Sequence, residues 1–344
     1  MPEISGNLVA PGRVALIVAR YHERITERLL DGARAACREA GVPTALVSAS
    51  WNRLIDAVSD KIATDIGTRP FDGLPEGFME AIFDFNPTVT IYAAGSQKGE
   101  LTFRMGVTAQ MFKKGIKFRH GHMVSITAQL MREGMRADYQ KIHDLTMRVH
   151  EIVKKAEMIT FTSKKGSDVT ARFAPDLNWI PCHGLYHNPG DWGNLPEGEV
   201  FTCPQTVDGI IVADILGDYF SPKYGVLDNP VTFEVKDGWV EKISCLDKNI
   251  EEELWAYLTS NENGRRIGEF AIGTNTALTK LSGVLLQDEK IPGIHIAFGD
   301  PGGRSTGADW AATTHIDVIP TDCTIKVDGE MLMQDGKFVF AEDK

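Results

Sequence analysis

Three of the six Asp-Gly pairs constrain this chain most: Asp237-Gly238, Asp328-Gly329 and Asp335-Gly336. The first sits in VTFEVKDGWVEKI, between runs that alternate apolar and polar residues. A two-residue hairpin turn of type I′ needs positive φ at both central positions, which Asp followed by Gly accepts at low cost. Each pair therefore predicts a tight antiparallel hairpin. ITFTSKKGSDVTARF reads the same way, as strand, turn, strand. The chain after residue 155 is expected to be antiparallel sheet, with one helix near residues 276–287.

The first half has a different grammar. RVALIVAR (13–20) reads as a buried strand, and His22 to Ala40 follows with apolar residues at Ile25, Leu29, Leu30, Ala33, Ala36 and Cys37. That is helical spacing, and Gly41 is a plausible stop. TALVSAS (44–50) is a second strand, so the opening is a βαβ unit and predicts a parallel sheet. Further helices are expected over residues 51–66, 78–85 and 99–114, with a strand over 87–93. Asp138 is placed to cap a long helix carrying Tyr139, Ile142, Leu145, Val149, Ile152 and Val153 on one face. The fold class expected is α/β: a Rossmann-like parallel-sheet domain over 1–155, then a β-rich antiparallel α+β metal-binding domain over 156–344. Residues 13–42 resemble the first βα unit of lumazine synthases, and that likeness stops near Val42.

Composition bounds the partners. Lys and Arg number 36 against 47 Asp and Glu, a net charge of −11. That argues against nucleic acid or an anionic membrane as the main partner. No apolar run reaches membrane-spanning length, and MPEISGNLVAPGRV lacks the basic-then-apolar layout of a signal peptide. Cys37, Cys182, Cys203, Cys245 and Cys323 are odd in number and contain no CxxC, so reduced thiols in a cytoplasm are expected.

The candidate chemistry gathers between Ile267 and Asp317. Glu269, His295, His315 and Asp317 each lie in or beside a short apolar run with strand character. Burying such groups is costly unless they are paired or bound to metal. His315 and Asp317 are two apart, so on a strand they share a face. A second cluster is the Gly- and Pro-rich loop 183–204, which holds His183, Tyr186, His187, Asp191, Trp192, Glu197 and Glu199. Loops this rich in polar side chains often form sites on a rigid scaffold. In RHGHM, His120 and His122 have strand spacing, and Arg119 beside them favours a surface or pocket-rim role over metal binding.

The order GEVF, IGEFAIGTN, DEKIPGIHIAFGDP and HIDVI resembles the aminopeptidase T family of metallo-aminopeptidases, over roughly residues 135–340. In that family, two divalent metals are held by two glutamates, two histidines, a tyrosine and an aspartate. The resemblance assigns Glu199 and Glu269 as the glutamates, His295 as the first histidine, and His315 with Asp317 as the closing pair. The family's tyrosine falls on Gly302 here, which puts the second metal in question. The same fold resembles the 2,5-dihydroxypyridine dioxygenases, whose single Fe(II) is held by a histidine at position 269 plus the closing His-x-Asp.

The function expected from this resemblance is a metal-dependent hydrolase, aminopeptidase-like, acting on a small amide or short peptide. Glu269, His295, His315 and Asp317 would hold the metal (Zn, Mn, Co or Fe(II)), with Glu199 as further ligand or general base. The alternative is a non-haem Fe(II) dioxygenase cleaving a hydroxylated N-heteroaromatic ring. There His183 and His187 are candidates for proton transfer, and His120, His122, Tyr186 and Trp192 for substrate contact. The resemblance also implies a homodimer or larger assembly.

Overall fold

The computed structural model describes residues 14–20, 31, 35, 38, 44–50, 78–94, 100–217 and 220–340. They belong to two compact units: Met1–Met131 with Tyr186–Leu195, and Arg132–Leu185 with Pro196–Lys344.

The first unit carries one parallel sheet of order β2-β1-β3-β4-β8. Its strands are β1 (Val14–Arg20), β2 (Thr44–Ser50), β3 (Val89–Ala94), β4 (Arg119–Val124) and β8 (Trp192–Asn194). A parallel sheet is covered on both faces, so its strands read as nearly continuous apolar runs, as VALIVAR does. Helices α1 (Phe78–Phe85) and α2 (Glu100–Lys113) bury Ile82, Val107 and Met111. Of the helix expected over His22 to Ala40, only Asp31, Ala35 and Arg38 are described, and all three are helical. The helix expected over 51–66 lies outside the described residues.

The second unit is a sandwich of two antiparallel sheets. The larger has the order β13-β12-β10-β6-β5-β17-β18-β19. Its strands are β5 (Met158–Ser163), β6 (Asp168–Arg172), β10 (Thr206–Ala213), β12 (Val231–Lys236), β13 (Trp239–Ser244), β17 (Cys323–Val327), β18 (Glu330–Gln334) and β19 (Lys337–Phe338). The smaller has the order β11-β16-β15-β14-β9-β7. It comprises β7 (Ile180–Cys182), β9 (Glu199–Thr202), β11 (Ile215–Leu216), β14 (Ile267–Gly273), β15 (Gly293–Gly299) and β16 (His315–Ile319). Alternate residues of both sheets fill the core between them: Phe161, Ile211 and Phe233 from one, Phe270, Ile296, Phe298 and Val318 from the other. Phe233 and Phe298 meet with ring centroids 5.1 Å apart.

The three Asp-Gly turns join β12 to β13, β17 to β18 and β18 to β19 as read from the sequence. Each has positive φ at both positions, such as 50° at Asp237 and 80° at Gly238. Asp138 caps α3 (Tyr139–Val153), accepting from the Gln140 and Lys141 amides. That helix buries Val149 and Val153 in the sandwich core. It therefore belongs with the second unit, and the division falls at Met131 and not near residue 155. Residues 186–195 return to the first unit because β8 pairs with β4.

The remaining helices are α4 (Phe220–Tyr224), α5 (Lys248–Leu258), α6 (Leu285–Asp288) and α7 (Gly303–Thr306). The helix expected over 276–287 survives only as α6. Upstream of it, the Asp288 carboxylate accepts from the Ser282 amide, the Ser282 hydroxyl and the Gly283 amide, which folds that stretch into a tight loop instead. Among the described residues, no helix is long and apolar enough to cross a membrane.

Candidate metal centre

The site lies on the face of the smaller sheet that points away from the sandwich core. Along β14, β15 and β16 the core residues alternate with Glu269, Ala271, His295, Ala297, His315 and Asp317. Asp317 pairs across with Ala297, Ala297 with Glu269, and His295 with Ala271. Small residues thus separate the charged ones, and cross-strand neighbours bring the charged ends together. A bulge in β14 sets this phase: Ile267 pairs with Phe298 and Glu269 with Ala297. It lets Ile267 and Phe270 both enter the core while Glu269 takes the opposite face. The intervening Gly268 is required, since a Cβ there would fall on the Gly299 carbonyl oxygen.

Five titratable groups converge. His295 Nε2 lies 3.3 Å from Glu269 Oε1 and 3.4 Å from Glu199 Oε2. His315 Nε2 lies 3.6 Å from both Glu269 Oε2 and Asp317 Oδ1. On its other side, His315 Nδ1 is 2.8 Å from the Asp300 carbonyl oxygen. A carbonyl only accepts, so Nδ1 carries the proton and, in the neutral ring, Nε2 presents its lone pair to the two carboxylates. Burial opposes charge on both imidazoles, but Asp317 and Glu269 outweigh it at His315 and hold its pKa well above the ordinary value. At His295, Glu269, Glu199 and Asp317 do the same and lift it to about 9. Asp317, for all its burial, is held below the usual carboxylate range by His315.

Beside these groups lies an ion cluster. Lys290 Nζ is 2.7 Å from Glu199 Oε1, 2.7 Å from Glu289 Oε1 and 3.5 Å from Glu197 Oε2, with its side chain 1% exposed. Burial pushes Glu197 up to about 8 and Glu289 to about 7, with Lys290 opposing in each case.

All four predicted metal ligands, and Glu199, are therefore brought together. Ligand atoms of Glu269, His315 and Asp317 lie within 4.8 Å of one another, as do those of Glu199, Glu269 and His295, and of Glu289, His295 and Asp317. Imidazole and carboxylate donors at this spacing suit a divalent cation. Glu199 Oε2 is buried with no hydrogen bond among the described residues and only the 3.4 Å approach of His295 Nε2, so it keeps lone pairs that an ion could take. Gly302, the position of the tyrosine in the aminopeptidase pattern, has φ 61° and caps α7, so no side chain reaches the centre from there.

The remaining candidates are distributed differently. His183 is in the second unit, with its ring edge-on to His143 at 4.7 Å and its Nδ1 accepting from the Leu185 amide. His120, His122, Tyr186, His187 and Trp192 are in the first unit. His120 and His122 are buried, which corrects the surface or rim position expected for them. Their rings stack along β4, and His122 meets Trp192 of β8 at 5.8 Å. Tyr186 donates to the Asn194 carbonyl, and the His187 amide donates to Asp191, so both hold the loop that carries β8. Sequence reasoning missed Lys290, Glu289 and the Asp300 carbonyl.

Residues 125–275 match the family model described as NicX, 2,5-dihydroxypyridine 5,6-dioxygenase. The match includes Glu199 and Glu269 and ends before His295. A solved structure of the 2,5-dihydroxypyridine dioxygenase from Pseudomonas putida KT2440 is similar in fold, with a TM-score of 0.66 at 17% identity. The similarity covers 96% of this chain and 93% of that one. No curated protein sequence is significantly similar to this chain. These comparisons overturn the metallohydrolase expected from sequence: the matched family model and the similar structure are both dioxygenases, and neither is an aminopeptidase T.

Proposed function

We propose that this chain is a dioxygenase that opens a hydroxylated N-heteroaromatic ring, with one Fe(II) held by Glu269, His315 and Asp317. The observation that carries the reading is the convergence of one imidazole and two carboxylates from β14 and β16, the strands that flank β15, with the His315 tautomer fixed by a main-chain acceptor. Non-haem Fe(II) oxygenases use a face of two histidines and one carboxylate; here Glu269 stands in place of one histidine, and a face of three ligands still leaves coordination positions free. The family match over residues 125–275 supports the same class of reaction.

Bound iron would supply the one-electron and O₂ chemistry that side chains lack. The protein's part is to orient and to hold protons. Glu269 faces His295 with one oxygen and His315 with the other, so His295 fixes the carboxylate in place. Glu199, pinned by Lys290, approaches the same His295 Nε2. His295 Nε2 is thereby the atom that keeps a proton between two carboxylates. Where the dioxygenase pattern set out above has histidine, this chain has Glu269. The centre is accordingly richer in negative charge, which strengthens its hold on a divalent ion.

The test is direct. Protein loaded with Fe(II) under argon is mixed with 2,5-dihydroxypyridine and air-saturated buffer. The expected result is loss of the pyridine absorbance with equimolar O₂ uptake, absent under argon and absent with Zn²⁺. An intact pyridine in the Fe(II)-loaded, aerated sample overturns the reading.

A further inference from the structure

Three donors suffice for one ion, yet this face carries more negative charge than that. Glu197, Glu199 and Glu289 crowd beside the centre with their side chains 2%, 7% and 11% exposed. Three buried carboxylates without a counter-charge would cost far more than a folded domain can spare. Lys290 supplies that charge. An ammonium has three donors and no acceptor, and here three carboxylates face it.

Backbone geometry fixes the lysine. The Asn275 amide donates to the Lys290 carbonyl at 2.9 Å. The chain at 290–291 passes so close to β14 that a Cβ at Gly273 would strike the Ile291 carbonyl. Glu199 then links the two positions: one oxygen meets Lys290 Nζ, and the other faces His295 Nε2, which also reaches Glu269. Glu289, which holds Lys290, also has an oxygen within ligand range of His295 and Asp317.

We propose that the Lys290 ammonium is a built-in second cation. It occupies the position that a second divalent ion would take among Glu199, Glu289 and Glu197, and it limits the centre to one metal. The inference rests on the reading that Glu269, His315 and Asp317 hold a metal.

The experiment counts ions. Full-length protein and the Lys290→Ala variant are equilibrated with Mn²⁺, freed of excess, and analysed for metal per chain and by electron paramagnetic resonance. Wild type is expected to hold close to one Mn²⁺ with the signal of an isolated ion. Lys290→Ala is expected to hold close to two, with the signal of an exchange-coupled pair. One ion on a folded Lys290→Ala, or two on wild type, overturns the inference while leaving the metal reading intact. No ion on either protein sinks the metal reading and the inference with it. If Lys290→Ala does not fold unaided, it is refolded in Mn²⁺ and its ions are counted per folded chain: close to two supports the inference, and one overturns it.

Discussion

His315 and Asp317 reach the same point from one strand, so neither can be spared by the other. His315→Ala and Asp317→Ala should each weaken metal binding by more than the roughly 10–100-fold typical of losing an outer partner. Titration calorimetry with Mn²⁺ measures it, and full occupancy in either variant would remove that residue from the ligand set. Without metal, the charge balance of the site falls to protons. Glu289, Glu197 and His295 have folded pKa values of about 7, 8 and 9, each above its unfolded value. The stability they contribute is full below the unfolded values, about 4.3 for Glu and 6.5 for His, and is lost as pH rises through the folded ones. Chelated protein should therefore lose thermal stability as pH rises from about 4.3 to 9, with roughly 3 kcal/mol lost from His295 alone between about pH 6.5 and 9. Metal-loaded protein should lose less, because a divalent charge beside this cluster favours the ionised carboxylates and the neutral imidazole and so lowers all three folded values. A chelated protein whose Tm rises over this range would contradict the assignment. The convergence of Glu269, His295, His315 and Asp317 was legible because charged and imidazole side chains stood out against apolar strand runs. Lys290 was not, because a lysine among the acidic residues of QDEKIPG carries no local sign of burial and only the tertiary fold buries it.

Elements decide the site through one bulge. Gly268→Ala would force β14 away from Gly299, or slip Glu269 off the site face. We expect a loss of about 3 kcal/mol or more, together with loss of metal. Gly329→Ala is the matched control: φ is 90° in an open turn, with nothing near the added Cβ. It should cost roughly 1–2 kcal/mol and keep the metal. Urea unfolding and metal content on both variants check the pair, and a Gly268→Ala that retains its metal would show that the bulge is dispensable. The hairpins could be read because Asp-Gly between alternating runs favours a tight turn, although the same pair at Asp208-Gly209 runs straight through β10. The helix expected over 276–287 could not, because one carboxylate, Asp288, overrides the helical pattern through hydrogen bonds that periodicity does not register.

At the scale of the molecule, bound metal should act on the second unit. With free metal at about a hundredfold over Kd, mass action adds roughly 2.7 kcal/mol to stability. Hydrogen exchange should show added protection in β14, β15 and β16 and little change in β1 to β4. Equal protection across both units would mean that they are thermodynamically coupled. The split nature of the first unit was not legible, because β8 is only three residues long inside a Gly-rich loop. That short strand also has a consequence for the order of events on the ribosome. The parallel sheet lacks its last strand until β8 emerges, about 70 residues after β4. At ordinary translation speed that delay is on the order of ten seconds. Throughout it, the backbone edge of β4 that β8 will cover stays open in the nascent chain. An open strand edge invites pairing with other chains. The growing polypeptide is thus most exposed to misassembly while the first strands of the metal-binding unit are being made.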